Sequence, residues 1–314
     1  MIERLWLKRF KGFQDTCVES FRPVNLVIGG QNVGKTSLLE AVNAMMTNDL
    51  SGASALFRGN EGSDMSRYVS SVFSSDDFKI SILLEGDRGK VISRSQVDLN
   101  KYLPGVSWVS GNFSVYGHTI NFARSVGFDD AECTIIPTQS LSSGSMVILY
   151  GKLVLGRKKQ DLLDLLSAVD SRVLGLDAIA PDGEHRVYAE IDGVDSALQI
   201  SHLGHGFGRL FHIYSELLIS KSNVVLIDEI ENGIYYSALP TLFEGVKSVT
   251  QRRGVQSIIT THSWECLRAA CEVFEDVPEM FQVIRLERVN NNIEPICIDG
   301  ERLKRMMQND MEVR

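Results

Sequence analysis

Residues 29–36 read Gly29-Gly30-Gln31-Asn32-Val33-Gly34-Lys35-Thr36, a complete G-x-x-x-x-G-K-[ST] pattern, and no other feature constrains the fold of this chain as strongly. Such a loop needs a strand running in and a helix running out. Pro23-Val24-Asn25-Leu26-Val27-Ile28 supplies the short apolar strand, and Ser37 to Met46 places Leu38, Val42 and Met45 at helical spacing. In a turn of this kind consecutive backbone N–H groups face the phosphates of a nucleotide, and the helix N-terminus adds the positive end of its dipole. Lys35 is expected to reach the β- and γ-phosphates and the Thr36 hydroxyl to bind Mg²⁺, with Ser37 closing the cradle of residues 29–37.

A second carboxylate motif must then end another core strand. Asn223-Val224-Val225-Leu226-Ile227-Asp228-Glu229 fits, with four apolar residues running into two acids. Asp228 is expected to hold Mg²⁺ directly or through water, and Glu229 to take a proton from the water that attacks the γ-phosphate. More than half of the chain separates Thr36 from Asp228, too much for a simple αβ repeat, and no Asn-Lys-x-Asp base-reading motif of a G protein occurs. An inserted lid or arm is expected between them. Ile80, Ile82 and Leu84 alternate with polar residues after Phe78 as a half-buried antiparallel strand, and Asp87-Arg88-Gly89 turns it into Lys90-Val91-Ile92.

Beyond Asp228, Gln256-Ser257-Ile258-Ile259-Thr260 reads as another strand and delivers Thr261-His262-Ser263. A histidine at the carboxyl end of a core strand lies beside the ligand crevice of a parallel sheet, where His262 can report on a γ-phosphate. Between the two motifs, Ile200-Ser201-His202-Leu203-Gly204-His205-Gly206-Phe207-Gly208-Arg209 leads into an amphipathic stretch bearing Leu210, Tyr214 and Leu217. Ser201 or a small residue after it starts a helix there, and Gly204 and Gly206 leave its N-terminus open to an anion.

Composition narrows the class further. A chain of 314 residues with 44% hydrophobic content can bury a sizeable core, and no apolar run or N-terminal segment suits a membrane span or a signal peptide, so a cytoplasmic protein is expected. Five cysteines (Cys17, Cys133, Cys266, Cys271, Cys297) without C-x-x-C spacing read as reduced core thiols. A net charge of −8 does not indicate nucleic acid as a partner, although local patches leave it open. Arg252-Arg253 and the group Arg302, Lys304, Arg305 read as solvated surface charge.

Taken together, Leu7-Lys8-Arg9-Phe10-Lys11-Gly12-Phe13, Gly29 to Thr36, Ser201-x-x-Gly204-x-Gly206, Ile227-Asp228-Glu229-Ile230-Glu231-Asn232-Gly233 and Thr260-Thr261-His262-Ser263 resemble an ABC-type ATPase head of the RecF and SMC kind. Among these heads the chain resembles the OLD (overcoming lysogenization defect) family and its phage-defence relatives most. The resemblance implies an α/β P-loop NTPase with a mixed or parallel core sheet, an antiparallel β subdomain and an inserted helical arm. It implies one domain over 1–314, with core segments 1–46 and 200–300, an inserted lid or arm over about 47–199 and a C-terminal helix over 300–314. The ligands implied are ATP and Mg²⁺, in an ATP-sandwich homodimer where Ser201, Gly204 and Gly206 touch the partner's γ-phosphate. A glutamine contacting Mg²⁺ and water is also implied; Gln139 is the candidate, with Gln96 and Gln160 as alternatives. The signature is not Leu-Ser-Gly-Gly-Gln, and Ile230 stands where transporter-type heads have proline. The segment after His262 is too short for the Toprim nuclease of longer OLD proteins, so a nuclease or toxin effector is expected as a separate chain.

Overall fold

A computed structural model describes residues 1–47, 79–86, 90–98, 106–109, 112–115, 118–120 and 133–308. The strands in chain order are β1 (Ile2–Phe10), β2 (Phe13–Val18), β3 (Val24–Gly29), β4 (Lys79–Gly86), β5 (Lys90–Asp98), β6 (Val106–Val109), β7 (Asn112–Val115), β8 (His118–Ile120) and β9 (Cys133–Ile136). Then follow β10 (Val173–Ile179), β11 (Arg186–Ile191), β12 (Leu198–Gln199), β13 (Val224–Ile227), β14 (Gln256–Thr260), β15 (Phe281–Val289) and β16 (Asn292–Asp299). The helices are α1 (Lys35–Thr47), α2 (Ser143–Leu155), α3 (Lys159–Val169), α4 (His205–Ile219), α5 (Leu239–Arg253), α6 (Trp264–Val273) and α7 (Gly300–Gln308).

Six strands form the central sheet in the order β16-β15-β3-β14-β13-β9, parallel except for β16, which returns antiparallel to β15. Its inner strands β3, β14 and β13 are almost wholly buried because both faces are covered, and they are mainly apolar, with Asn25, Gln256, Ser257 and Thr260 as buried polar members. Alternate residues divide between two cores: Leu26, Val225, Ile227 and Ile259 pack with α2 to α6, whereas Val27, Val224, Leu226 and Ile258 pack with α1 and β1. Register sets up the chemistry. Ile227 pairs with Ile136 on one side and Ile259 on the other, and Thr260 pairs with Val27, so β9, β13, β14 and β3 all end at one edge. A second, antiparallel sheet runs β2-β1-β4-β5, and the β1–β2 turn is pinned to α1 by an ion pair between Lys11 and the buried Glu40.

β4 and β5 are antiparallel strands where the alternation of Ile80, Ile82 and Leu84 predicts them; Phe78 and the Asp87–Gly89 turn lie outside the described residues. One boundary differs. β9 lies within the stretch read as an insertion, yet it is the edge strand of the central sheet, so a span of 47–199 cuts across core structure. Four apolar or β-branched residues, Cys133 to Ile136, are too short a run to be told from insertion by pattern alone. The C-terminal helix is described only as far as Gln308. Arg253, read as surface charge, donates to the carbonyls of Leu217 and Ser220 at the end of α4. All five cysteines are free thiols, with Cys266 buried and the others partly so. Among the described residues no helix is long and apolar enough to cross a membrane.

Candidate active site

The phosphate loop bridges β3 and α1. Gly34 has φ of +86°, and a Cβ there would lie 3.0 Å from the Phe13 ring and 3.1 Å from Ile293 Cδ1, so only glycine fits. Its carbonyl accepts from Leu38 N–H at 2.9 Å and starts the helix. Lys35 is 5% exposed, and its Nζ donates to the carbonyls of Gly29 and Gly30, both at 2.7 Å. Burial pushes the ammonium down to about 8, against the attraction of Glu229, Asp228 and Glu231.

Asp228 follows β13 directly and is 3% exposed. Three hydroxyls surround its carboxylate: Thr260 donates to Oδ1 at 2.7 Å, Thr138 to Oδ2 at 3.2 Å, and Thr36 lies 3.2 Å from Oδ1 and 3.4 Å from Oδ2. Glu229 is left-handed, with φ of +46°, and donates its N–H to Thr260 Oγ1 at 2.8 Å. His262 Nε2 is 3.7 Å from Glu229 Oε1. The loop holding His262 is fixed from below, because Glu231 Oε1 accepts its N–H at 2.7 Å. Glu231 is therefore engaged in holding the loop, and Glu229 is the acid that faces the opening.

A cavity of 580 Å³ is lined by residues 31–37, Glu229 and His262, with Gly12, Arg288 and Ile293 at its other wall. The structure thus brings Gln31, Asn32, Val33, Gly34, Lys35, Thr36, Ser37, Glu229 and His262 to one space, with Asp228 against Thr36 and with Gly29 and Gly30 behind Lys35. Gln139 is not among the residues that meet Asp228. It is exposed, and its neighbour Thr138 takes the inward place on the loop after β9. Gln160 bonds Asp164 on α3 at 2.7 Å, and the side chain of Gln96 lies outside the described residues.

Ser201, Gly204 and Gly206 do not line the cavity of their own chain. Ser201 is exposed on a 3-10 turn (Ile200–Leu203), and Gly204, with φ of +96°, has open space where a Cβ would stand. Gly206 differs. A Cβ there would lie 2.4 Å from the Gly233 carbonyl oxygen, so this glycine permits a close approach within the chain rather than outward access. His205 Nδ1 is 3.0 Å from Ser140 Oγ, which joins the start of α4 to the loop after β9.

Sequence reasoning missed Thr138 and Arg209. Arg209 is 3% exposed on α4, and its guanidinium donates to the carbonyls of Pro137, Asp228 (2.6 Å) and Glu229 (3.5 Å). An arginine set among the apolar residues Phe207, Leu210, Phe211 and Ile213 was the available signal.

Residues 4–122 match a domain model described as "AAA domain", and residues 149–267 match one described as "AAA domain, putative AbiEii toxin, Type IV TA system". A curated protein of Helicobacter pylori named "ATP/GTP phosphatase" is 21% identical, with 99% of each chain covered. Among solved structures, an SMC head bound to the C-winged helix domain of ScpA superposes with a TM-score of 0.64 at 13% identity, covering 98% of this chain and 99% of that one. The SMC head domain from Thermotoga maritima does so with 0.54 at 15% identity, covering 95% and 98%. The chain therefore has the P-loop NTPase fold of the SMC-head and ABC-ATPase type, and two of its segments are similar to AAA domain models.

Proposed function

We propose that the protein binds ATP with Mg²⁺ and hydrolyses it at the cavity between the phosphate loop and Glu229. One observation carries this reading: Thr36 and Asp228 face each other at 3.2 Å beside a cavity that Lys35, Glu229 and His262 surround. The residues fit the metal, because a hydroxyl and a carboxylate are hard oxygen donors and Mg²⁺ takes few protein ligands, leaving the rest to phosphate and water. When bound it would neutralise charge on the β- and γ-oxygens. Lys35 and the amides of residues 30–36 hold the phosphates, Glu229 orients and deprotonates water, and His262 contacts the γ-phosphate.

In the fuller reading two copies enclose two ATPs, with Ser201 and the open backbone at Gly204 facing the partner's γ-phosphate. Support comes from a 15-residue helix, α4, whose N-terminal residues do not line the cavity of their own chain. The nucleotide-driven dimer then acts as a switch for a separate nuclease or toxin in antiphage defence within the cytoplasm, a role supported by the OLD-like motifs and by the toxin-system description of the matching domain model. The site itself is tested by Lys35→Ala, which removes the fixed cation of the cradle. It should abolish binding of a fluorescent ATP analogue while the far-ultraviolet circular dichroism stays that of the wild type; wild-type affinity would refute the assignment.

A further inference from the structure

Arg209 is a buried cation that the hydrolysis scheme does not use. An apolar residue of similar volume on α4 would avoid the desolvation of a charge, and the Nε of Arg209 is buried with no hydrogen-bond partner among the described residues. Its other two nitrogens go to an unusual set of acceptors. The Asp228 carbonyl, at 2.6 Å, belongs to the peptide plane that precedes the Glu229 Cα, and the Glu229 carbonyl, at 3.5 Å, belongs to the plane that follows it. Those two planes define the backbone torsions of Glu229. That residue is held at φ of +46°, a left-handed conformation which a side chain such as glutamate enters only when its surroundings impose it. The third acceptor, the Pro137 carbonyl, immediately precedes Thr138, whose hydroxyl sits on Asp228.

We infer that Arg209 is a positioning residue for Glu229: it clamps both peptide planes around Glu229, aims that carboxylate into the phosphate cavity, and ties its aim to helix α4. The inference rests on the reading of Glu229 as the base in hydrolysis. Burial lowers the Arg209 guanidinium to about 10, whereas Asp228, Glu231 and Glu229 favour its charged form, so it is a cation at neutral pH. One turn on, burial and the charge of Arg209 push His212 down to about 4, which leaves the guanidinium as the charged group of this part of the helix. Gly204 to Gly206 stand at the N-terminus of the same helix, so the clamp on Glu229 and the segment proposed to face the partner share one element.

The test is steady-state ATP turnover and nucleotide binding by Arg209→Ala and Arg209→Lys proteins, with and without added guanidinium. For a misaimed group, kcat of the alanine variant should fall by roughly 10²-fold while the dissociation constant for ATP stays within about threefold of wild type. Guanidinium well below denaturing concentration should raise that kcat saturably, because it refills the vacated space and its three carbonyls; sodium at equal ionic strength should not. A purely structural role predicts the opposite sign, since guanidinium weakens a destabilised fold. Arg209→Lys keeps the charge and most of the volume but cannot span three acceptors, so it should also lose kcat with affinity retained, and it decides the matter if the alanine variant is insoluble. Wild-type kcat in the variants, parallel loss of affinity and kcat, or no response to guanidinium overturns the inference. Turnover that Lys35→Ala abolishes but the Arg209 variants leave intact overturns this inference alone.

Discussion

At the scale of single residues, burial outweighs the neighbouring carboxylates in setting the charge on Lys35. Burial disfavours the ammonium, the carboxylates of Glu229, Asp228 and Glu231 favour it, and the result is a group pushed down to about 8. Phosphate oxygens add negative charge beside Nζ, so the bound form must have the higher value and binding takes up a proton. Affinity for ATP is then constant below about pH 8 and falls above it, by at most tenfold per pH unit. Titration of a fluorescent ATP analogue across that range should show the bend, and a flat dissociation constant through pH 9 or so would contradict the role of Lys35. Lys35, Asp228, Glu229 and His262 were legible in the sequence because each belongs to a local pattern at a strand end. Thr138 and Arg209 were not. Thr138 reaches Asp228 across 90 positions and Arg209 reaches it across 19, and both contacts depend on which strands and helices become neighbours.

At the scale of elements, the segment entering α4 combines two roles that the glycine pattern alone does not separate. Ser201 is exposed and Gly204 is open, whereas Gly206 is pressed on the Gly233 carbonyl that follows the Asp228-Glu229 motif. The two kinds of position should therefore respond differently. Gly206→Ala forces a Cβ against backbone 2.4 Å away and should lower the thermal midpoint of the isolated protein, at a cost of about 1–3 kcal/mol for overpacking. Ser201→Arg should leave the midpoint unchanged but prevent the ATP-dependent doubling of mass in light scattering, because it adds bulk only on the face assigned to the partner. Equal melting of Gly206→Ala and wild type, or an ATP-dependent dimer of Ser201→Arg, would contradict this division. The helix was legible from its apolar spacing and small entry residues. The inward-facing glycine was not, because its neighbour Gly233 comes from a different strand end.

At the scale of the molecule, a parallel sheet collects four strand ends at one edge, and every group of the proposed chemistry hangs from that edge or from the helix α4 behind it. This arrangement was readable in outline, since a phosphate loop, an Asp-Glu strand and a His strand in that order imply a shared crevice. The extent of the core was less readable, because β9 is a four-residue edge strand after a long divergent stretch. Glu229 is the group proposed to activate water at this site. Glu229→Gln keeps shape and loses the base, so the decisive measurement is its ATP turnover at saturating nucleotide beside its affinity for ATP. Turnover should fall by about 10²–10⁴-fold with affinity unchanged; turnover within about threefold of wild type would contradict the account.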